Sequence, residues 1–301
     1  MNTQRFYIAC SLLATVGTLS LTACSQDDSV EPSEGEKPGK MPVAIVTRTT
    51  GEQTNVNAGL FMVNYLDDAP DELLASGNYI HNQLLTLSNG TWNTSTPIYW
   101  YDMQTAADFY AYAPYQTTVP DARQLTFSVA ADQRSQEQFE ESDFLWGCVM
   151  GKKPADGSFS LQLSHMLSRL SVSITAGNGF AEGELKDNDI SVSIGGTKPQ
   201  AFIDLKDGSV TTVTNAQPSD IACHDEGNLV YSAILIPQYV PFSNFIKVVW
   251  KGNTYILQNS FTLEPKKQYQ LTVQLKKTAS GFDIGIEGWD IIPEDFGGIV
   301  G

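Results

Sequence analysis

From Met41 onward the apolar residues fall in short runs between turn signals. The runs repeat at roughly eight to twelve residues, the spacing of a β-sandwich or barrel rather than of helices. Phe159, Leu161 and Leu163, then Leu170, Val172 and Ile174, alternate with more polar neighbours, as do Tyr269, Leu271, Val273 and Leu275. Period-two alternation places one face of a strand on a core. Three hairpins are expected. Tyr79 to Leu87 turns through Ser88-Asn89-Gly90-Thr91 and returns over Trp92 to Tyr101. Ala201 to Leu205 and Ser209 to Val213 flank Lys206-Asp207-Gly208, and Phe245 to Trp250 and Thr254 to Gln258 flank Lys251-Gly252-Asn253. Asn and Gly take the positive-φ positions of tight hairpin turns. Helix signals are thin, and Gln133 to Glu141 carries the best of them. The pattern predicts an all-β fold of about a dozen strands in two tandem β-sandwiches, residues 41–157 and 158–301; one large sandwich is the alternative.

The first 40 residues follow a different rule. Arg5 precedes an uncharged run from Phe6 to Leu21, too short for the roughly 20 residues of a spanning helix. A basic start and small residues at the end mark residues 1–23 as a secretory signal. Leu21-Thr22-Ala23-Cys24 resembles the lipobox of bacterial lipoproteins, which implies cleavage before Cys24 and acylation of its thiol. Several acyl chains would hold the protein in outer-membrane lipid. Ser25-Gln26-Asp27-Asp28 resembles the acidic surface-export signal of Bacteroidetes lipoproteins. Residues 24–40 are rich in Pro, Gly, Ser, Glu and Lys and read as a flexible tether.

Charge narrows the partners. Without the leader and its single Arg5, 17 Lys and Arg face 34 Asp and Glu, a net charge of −17. No basic stripe exists to meet phosphates, so a nucleic-acid partner is excluded. Cys148 and Cys223 show no C-x-x-C spacing, and His81, His165 and His224 lie far apart, so neither a zinc framework nor another metal or cofactor is expected. The two cysteines read as buried apolar side chains, with a disulfide as the alternative. Ser164 and His165 are neighbours on a strand and point to opposite faces, so they are not a nucleophile–base pair. His224-Asp225-Glu226 reads as a loop. Asp67, Asp68, Asp71 and Glu72 read as a solvated acidic loop, lacking EF-hand spacing. Among Phe109, Tyr110, Tyr112 and Tyr115, core filling is favoured over stacking on a sugar. No acid, base or nucleophile set is assembled, so an enzyme is not expected.

Four segments in order resemble the fimbrillin-like family. Thr96-Pro97-Ile98-Tyr99-Trp100 with Ala107 to Tyr115 resembles its W…DFYAYYPY signature, and Asp143 to Gly147 its DLLYG element. Leu161 to Leu170 resembles its histidine-containing strand, and Ile286-Glu287-Gly288-Trp289 its terminal I-x-x-W. The resemblance implies two transthyretin-like β-sandwiches in a subunit of a type V pilus. It also implies export as a lipoprotein, a cut by an arginine-specific protease near the first strand, and filling of the vacated groove by a strand of another subunit. Pro42 to Thr47 is the matching first strand, with Val43 and Ile45 on its apolar side. Arg48 follows and is the only arginine between the leader and Arg123. The candidate donor is the tail with Trp289, Ile291, Ile292, Phe296 and Ile299; it is shorter than the donor segments of major stalk subunits and is interrupted by Pro293. Partners so implied are other subunits, the protease, membrane lipid through Cys24, and a host or bacterial surface ligand. A lipid-retaining anchor subunit and a monomeric glycan-binding surface lipoprotein are the alternatives.

Overall fold

The computed structural model describes residues 41–46, 55–67, 72–88, 91–278 and 281–292. Among them lie twenty strands. The first ten are β1 (Ile45–Val46), β2 (Asn55–Asn64), β3 (Ile80–Ser88), β4 (Thr91–Asn93), β5 (Ala107–Ala113), β6 (Leu125–Ser128), β7 (Leu145–Lys152), β8 (Phe159–Ser160), β9 (Ser164–His165) and β10 (Ser168–Ala176). They are followed by β11 (Ile190–Thr197), β12 (Gln200–Asp204), β13 (Ser209–Thr212), β14 (Ser219–Ala222), β15 (His224–Gly227), β16 (Val230–Leu235), β17 (Gln238–Trp250), β18 (Asn253–Leu263), β19 (Gln268–Thr278) and β20 (Gly281–Ile292). One α-helix, α1 (Gln136–Glu141), starts at Ser135, whose hydroxyl accepts from the Gln138 N–H. Such a cap satisfies one of the orphan donors of a first turn.

The all-β class expected from the pattern is the one observed, in a sandwich-like arrangement, but the strand count exceeds the expected dozen. The additional strands are mostly two to four residues long, too short to show a period-two signal. Two local expectations change. The return arm after Asn89-Gly90 is only Thr91–Asn93; Pro97, which has no N–H to donate, lies in the stretch that leaves it. His224–Gly227 is a strand paired with β16, not a loop. Its four residues are polar or Gly, so no apolar alternation betrayed it.

Eight strands form one sheet in the order β8-β1-β4-β3-β2-β5-β7-β9. Laid flat, its edges would stand about 34 Å apart at the usual strand spacing. Yet β8 and β9 are joined by residues 161–163, a link of at most about 14 Å. The sheet must therefore roll back on itself. Inside the roll lies a core of Leu60, Met62, Leu85, Trp92, Trp100, Phe109, Phe159 and Leu161 among others. The outer side of the same strands presents Phe61, Val63, Tyr110 and Tyr112 to a second core. β5 is buried at every position because it separates two cores, which explains its run of alanine and aromatic residues; its one charged residue, Asp108, is buried and accepts from the Tyr65 hydroxyl and the Gly151 N–H.

The second core takes in β10, β16 and β19 of a five-stranded sheet, order β15-β16-β10-β19-β20, and β11 and β17 of a four-stranded sheet, order β14-β11-β17-β18. A third, small sheet, β13-β12-β6, adds Leu125, Phe127, Ala201 and Ile203. The run after Gly157 passes between the cores: Phe159, Leu161 and Leu163 enter the first, Met166, Leu167 and Leu170 the second.

The closing link packs tightly. A Cβ built on Gly147 of β7 would lie 1.8 Å from the carbonyl oxygen of Gln162, a backbone atom that cannot swing away. Gly147→Ala is expected to destabilise the fold by at least about 1–3 kcal/mol, the usual cost of overpacking. A urea midpoint equal to the parent's would show that residues 161–163 do not rest on β7.

Candidate functional site: the seat of the first strand

Residues 41–46 run in extended form along the seam between two elements of the rolled sheet. Val46 pairs with Thr91 antiparallel, while Ile45 and Val46 pair with Phe159 and Ser160 in parallel. Four backbone bonds tie the segment on both sides. The Val43 N–H donates to Ile98 O (2.8 Å) and the Trp100 N–H to Met41 O (3.0 Å). The Phe159 N–H donates to Ala44 O (3.2 Å) and the Leu161 N–H to Val46 O (3.3 Å). Side chains alternate. Ile45 is buried and Met41 and Val43 pack on the first core in part, while Pro42, Ala44 and Val46 face outward. Trp100 is 1 % exposed on the floor of this seat and meets Phe109 edge-on at 5.5 Å and Phe159 at 6.4 Å.

Val43 and Ile45, the apolar side of the expected first strand, thus lie side by side on one core. Arg48, Cys24, Phe296 and Ile299 lie outside the described residues. Trp289, Ile291 and Ile292 belong to β20, which forms an edge of the five-stranded sheet. Trp289 pairs with Leu271, Ile291 with Tyr269 and Ile292 with Gln268. The apolar series changes from even numbers (Phe282, Ile284, Ile286) to odd ones (Trp289, Ile291). A register shift between Thr272 and Val273 absorbs the change, so Ile284, Ile286, Trp289 and Ile291 are the backbone partners of Leu275, Val273, Leu271 and Tyr269.

Sequence reasoning missed the walls of the seat. Ile98, Trp100, Phe159 and Leu161 alternate in their own segments, and that signal was legible, but only the fold brings the two segments to either side of residues 41–46.

Several titratable groups are engaged in structural contacts. Asp143 Oδ2 lies 2.5 Å from His165 Nδ1, bracing the approach to β9. His224 contacts Arg134 O through Nδ1 at 3.1 Å and stacks on Phe139. Glu72 accepts from Lys206 at 2.7 Å, and that contact holds its carboxyl below the ordinary value. Arg123 grips Asp204 with two bonds of 2.8 and 2.9 Å. Among the described residues no cluster of three or more His, Cys, Asp or Glu is placed to hold a metal ion, and no helix is long and apolar enough to cross a membrane.

Cys148 and Cys223 are free thiols, which removes the disulfide alternative. Cys223 is buried, and burial raises its thiol far above the ordinary value; Cys148 is half-buried and raised for the same reason, with Asp108 adding to it. Thiolates react, thiols do not. Native protein is therefore expected to take up iodoacetamide slowly at pH 8, and denatured protein to take up one equivalent on each of the two. Rapid native labelling of Cys223, read by mass, would contradict the packing.

Residues 47–289 match the sequence profile of the family described as fimbrillin-like. The chain belongs to the fimbrillin-like family. No curated protein matches this fimbrillin-like chain. Solved structures share its fold. One, from Bacteroides uniformis and ascribed a role in cell adhesion, is 20 % identical with a TM-score of 0.64; the match covers 87 % of this chain and 100 % of that one. Another, from Bacteroides ovatus with the same ascription, is 16 % identical with a TM-score of 0.62, covering 86 % and 99 %.

Proposed function

We propose that this fimbrillin-like chain is an exported subunit of an adhesive filament of the cell surface, assembled by exchange of its first strand for a strand of another subunit. The observation that carries the reading is the seat of residues 41–46: a strand tied by backbone on both sides, packed on a core through alternate residues, with Arg48 two positions after its end. A cut after Arg48 by an arginine-specific protease detaches that strand from the body. Strand addition to an open sheet edge gives affinity through the main chain and specificity through alternate side-chain pockets; pilin complementation is a known instance. The tail around Trp289, Ile291 and Ile292 is the donor in this scheme, leaving β19 to enter the seat of a neighbour. The lipid on Cys24 delivers the precursor to the outer membrane and is lost with residues 24–48. In this reading the chain is two tandem transthyretin-like sandwiches, residues 41–157 and 158–301. Family membership and the adhesion ascribed to the Bacteroides proteins of the same fold support the surface role.

Protein sheared from the cell surface is expected to begin at Thr49 and to carry no lipid, by intact mass and terminal sequencing. A start at acylated Cys24 would overturn strand exchange and leave a lipid-retaining anchor or a monomeric binding lipoprotein.

A further inference from the structure

An arginine-specific protease that acts at Arg48 must spare the arginines of the folded body. Arg123, Arg134 and Arg169 lie among the described residues, and their guanidinium groups pair with Asp204, Asp132 and Glu226. Such pairing is weak protection: an exposed ion pair slows its own disruption by no more than about 5-fold. A protease needs several residues of detachable backbone around the scissile bond, so the burial and hydrogen bonds of that backbone set the rate. Arg169 lies within β10, paired with Ile234 on one side and Gln268 on the other. Arg123 follows Ala122, which is wholly buried, donates its N–H to Ala75 O (2.9 Å) and accepts the Leu205 N–H (3.0 Å). Arg134 is the vulnerable one. Its side chain is 70 % exposed, and it lies in no strand or helix.

The residue before Arg134 supplies the restraint. β16 outruns β15, whose pairing stops at Ser232. At Ile234 the carboxamide of Gln133 takes the place of a strand: its Nε2 donates to Ile234 O and its Oε1 accepts the Ile234 N–H, both at 2.8 Å. Nε2 donates also to Ala130 O (3.1 Å), and the Gln133 backbone N–H to Ala222 O (3.0 Å). Gln133 is wholly buried. Beyond the scissile bond Ser135 caps α1, and the Arg134 carbonyl meets His224 Nδ1 at 3.1 Å. Drawing this stretch into a protease cleft would pull the amide from its buried place and leave the Ile234 N–H and carbonyl without partners, which is costly.

We infer that Gln133 is the residue that withholds Arg134 from arginine-specific proteolysis, so that the folded body survives the cut that frees its first strand. The inference deepens the function proposed above and rests on it for the class of protease. The test treats the full mature chain with a purified arginine-specific endoprotease and follows each cut by intact mass. The parent is expected to be cut after Arg48 and to persist as residues 49–301. Gln133→Met, which keeps the side chain's length and loses its bonds, and Gln133→Ala should each be cut after Arg134 at least about 10-fold faster than the parent, with Arg123 and Arg169 still intact. Asp132→Ala, which removes only the ion pair, should change that rate by no more than about 5-fold. Three results would each overturn the inference: a parent cut after Arg134 as fast as after Arg48, an unchanged rate in both Gln133 variants, or an Asp132→Ala rate equal to theirs. Cutting after all three body arginines at once in both Gln133 variants would also overturn it, because Gln133 would then hold the whole fold rather than this loop. These rates are read on purified protein at Arg134, whereas strand exchange is read from the N-terminus at the cell surface, so the two failures are distinguishable.

Discussion

Trp100→Ala is expected to lower the unfolding free energy by about 3–5 kcal/mol, the range for deleting a buried aromatic. Trp100 is almost wholly enclosed, and its indole is one corner of a triangle with Phe109 and Phe159, whose own rings stand 4.5 Å apart. Removing it strips two edge-to-face contacts as well as a large apolar area. The surrounding strands cannot collapse to fill the gap, because β5 is held between two cores. A second effect follows from position. Trp100 donates its N–H to Met41 O and supplies the floor under residues 41–46, so the first strand is expected to loosen before the rest of the sheet. Urea denaturation checks the first effect, and the rate of cleavage after Arg48 by an arginine-specific protease checks the second. A loss below about 1 kcal/mol, or a cleavage rate equal to the parent's, would mean that Trp100 does not support the seat.

Much of this architecture is legible in the sequence, for physical reasons that differ by element. β19 could be read because Tyr269, Leu271, Val273 and Leu275 face a core on one side only. The hairpin at Lys251-Gly252 was marked by residues that take φ of 46° and 81°. Core filling was legible for the aromatic residues of β5, but its burial on both faces was not, since one strand's own residues do not show that a second core lies behind it. β15 was illegible because its four residues, all polar or Gly, carry no apolar alternation, while β8 and β9 were read within one alternating run that the structure divides into two short strands. The first strand itself was legible in Val43 and Ile45. Its seat was not, because Ile98 and Trp100 stand 59 residues or more before Phe159 in the chain and only the rolling of the sheet brings them to opposite sides of it.

A chain that begins at Thr49 is expected to leave the monomeric state. Loss of residues 41–46 removes the burial of Ile45 and part of that of Met41 and Val43. At roughly 1.5–3 kcal/mol per fully buried side chain, this amounts to about 3–6 kcal/mol as an upper bound. It also leaves the N–H groups of Trp100, Phe159 and Leu161 and the carbonyl of Ile98 without their partners. A domain stable by about 5–15 kcal/mol can survive such a loss, but only with an open apolar trough flanked by unpaired backbone on both sides. The trough is self-limiting in specificity: an entering strand must offer apolar residues at i, i+2 and i+4, as Met41, Val43 and Ile45 do. The truncated chain is expected to bind an apolar dye and to elute as oligomers on size exclusion, and a synthetic peptide of residues 41–48 should return it to monomer. A peptide of residues 281–301, which holds the donor residues Trp289, Ile291 and Ile292, should compete with it. If the chain from Thr49 stays monomeric, keeps the parent's urea midpoint and ignores both peptides, then the first strand contributes little to the sheet and the exchange mechanism fails.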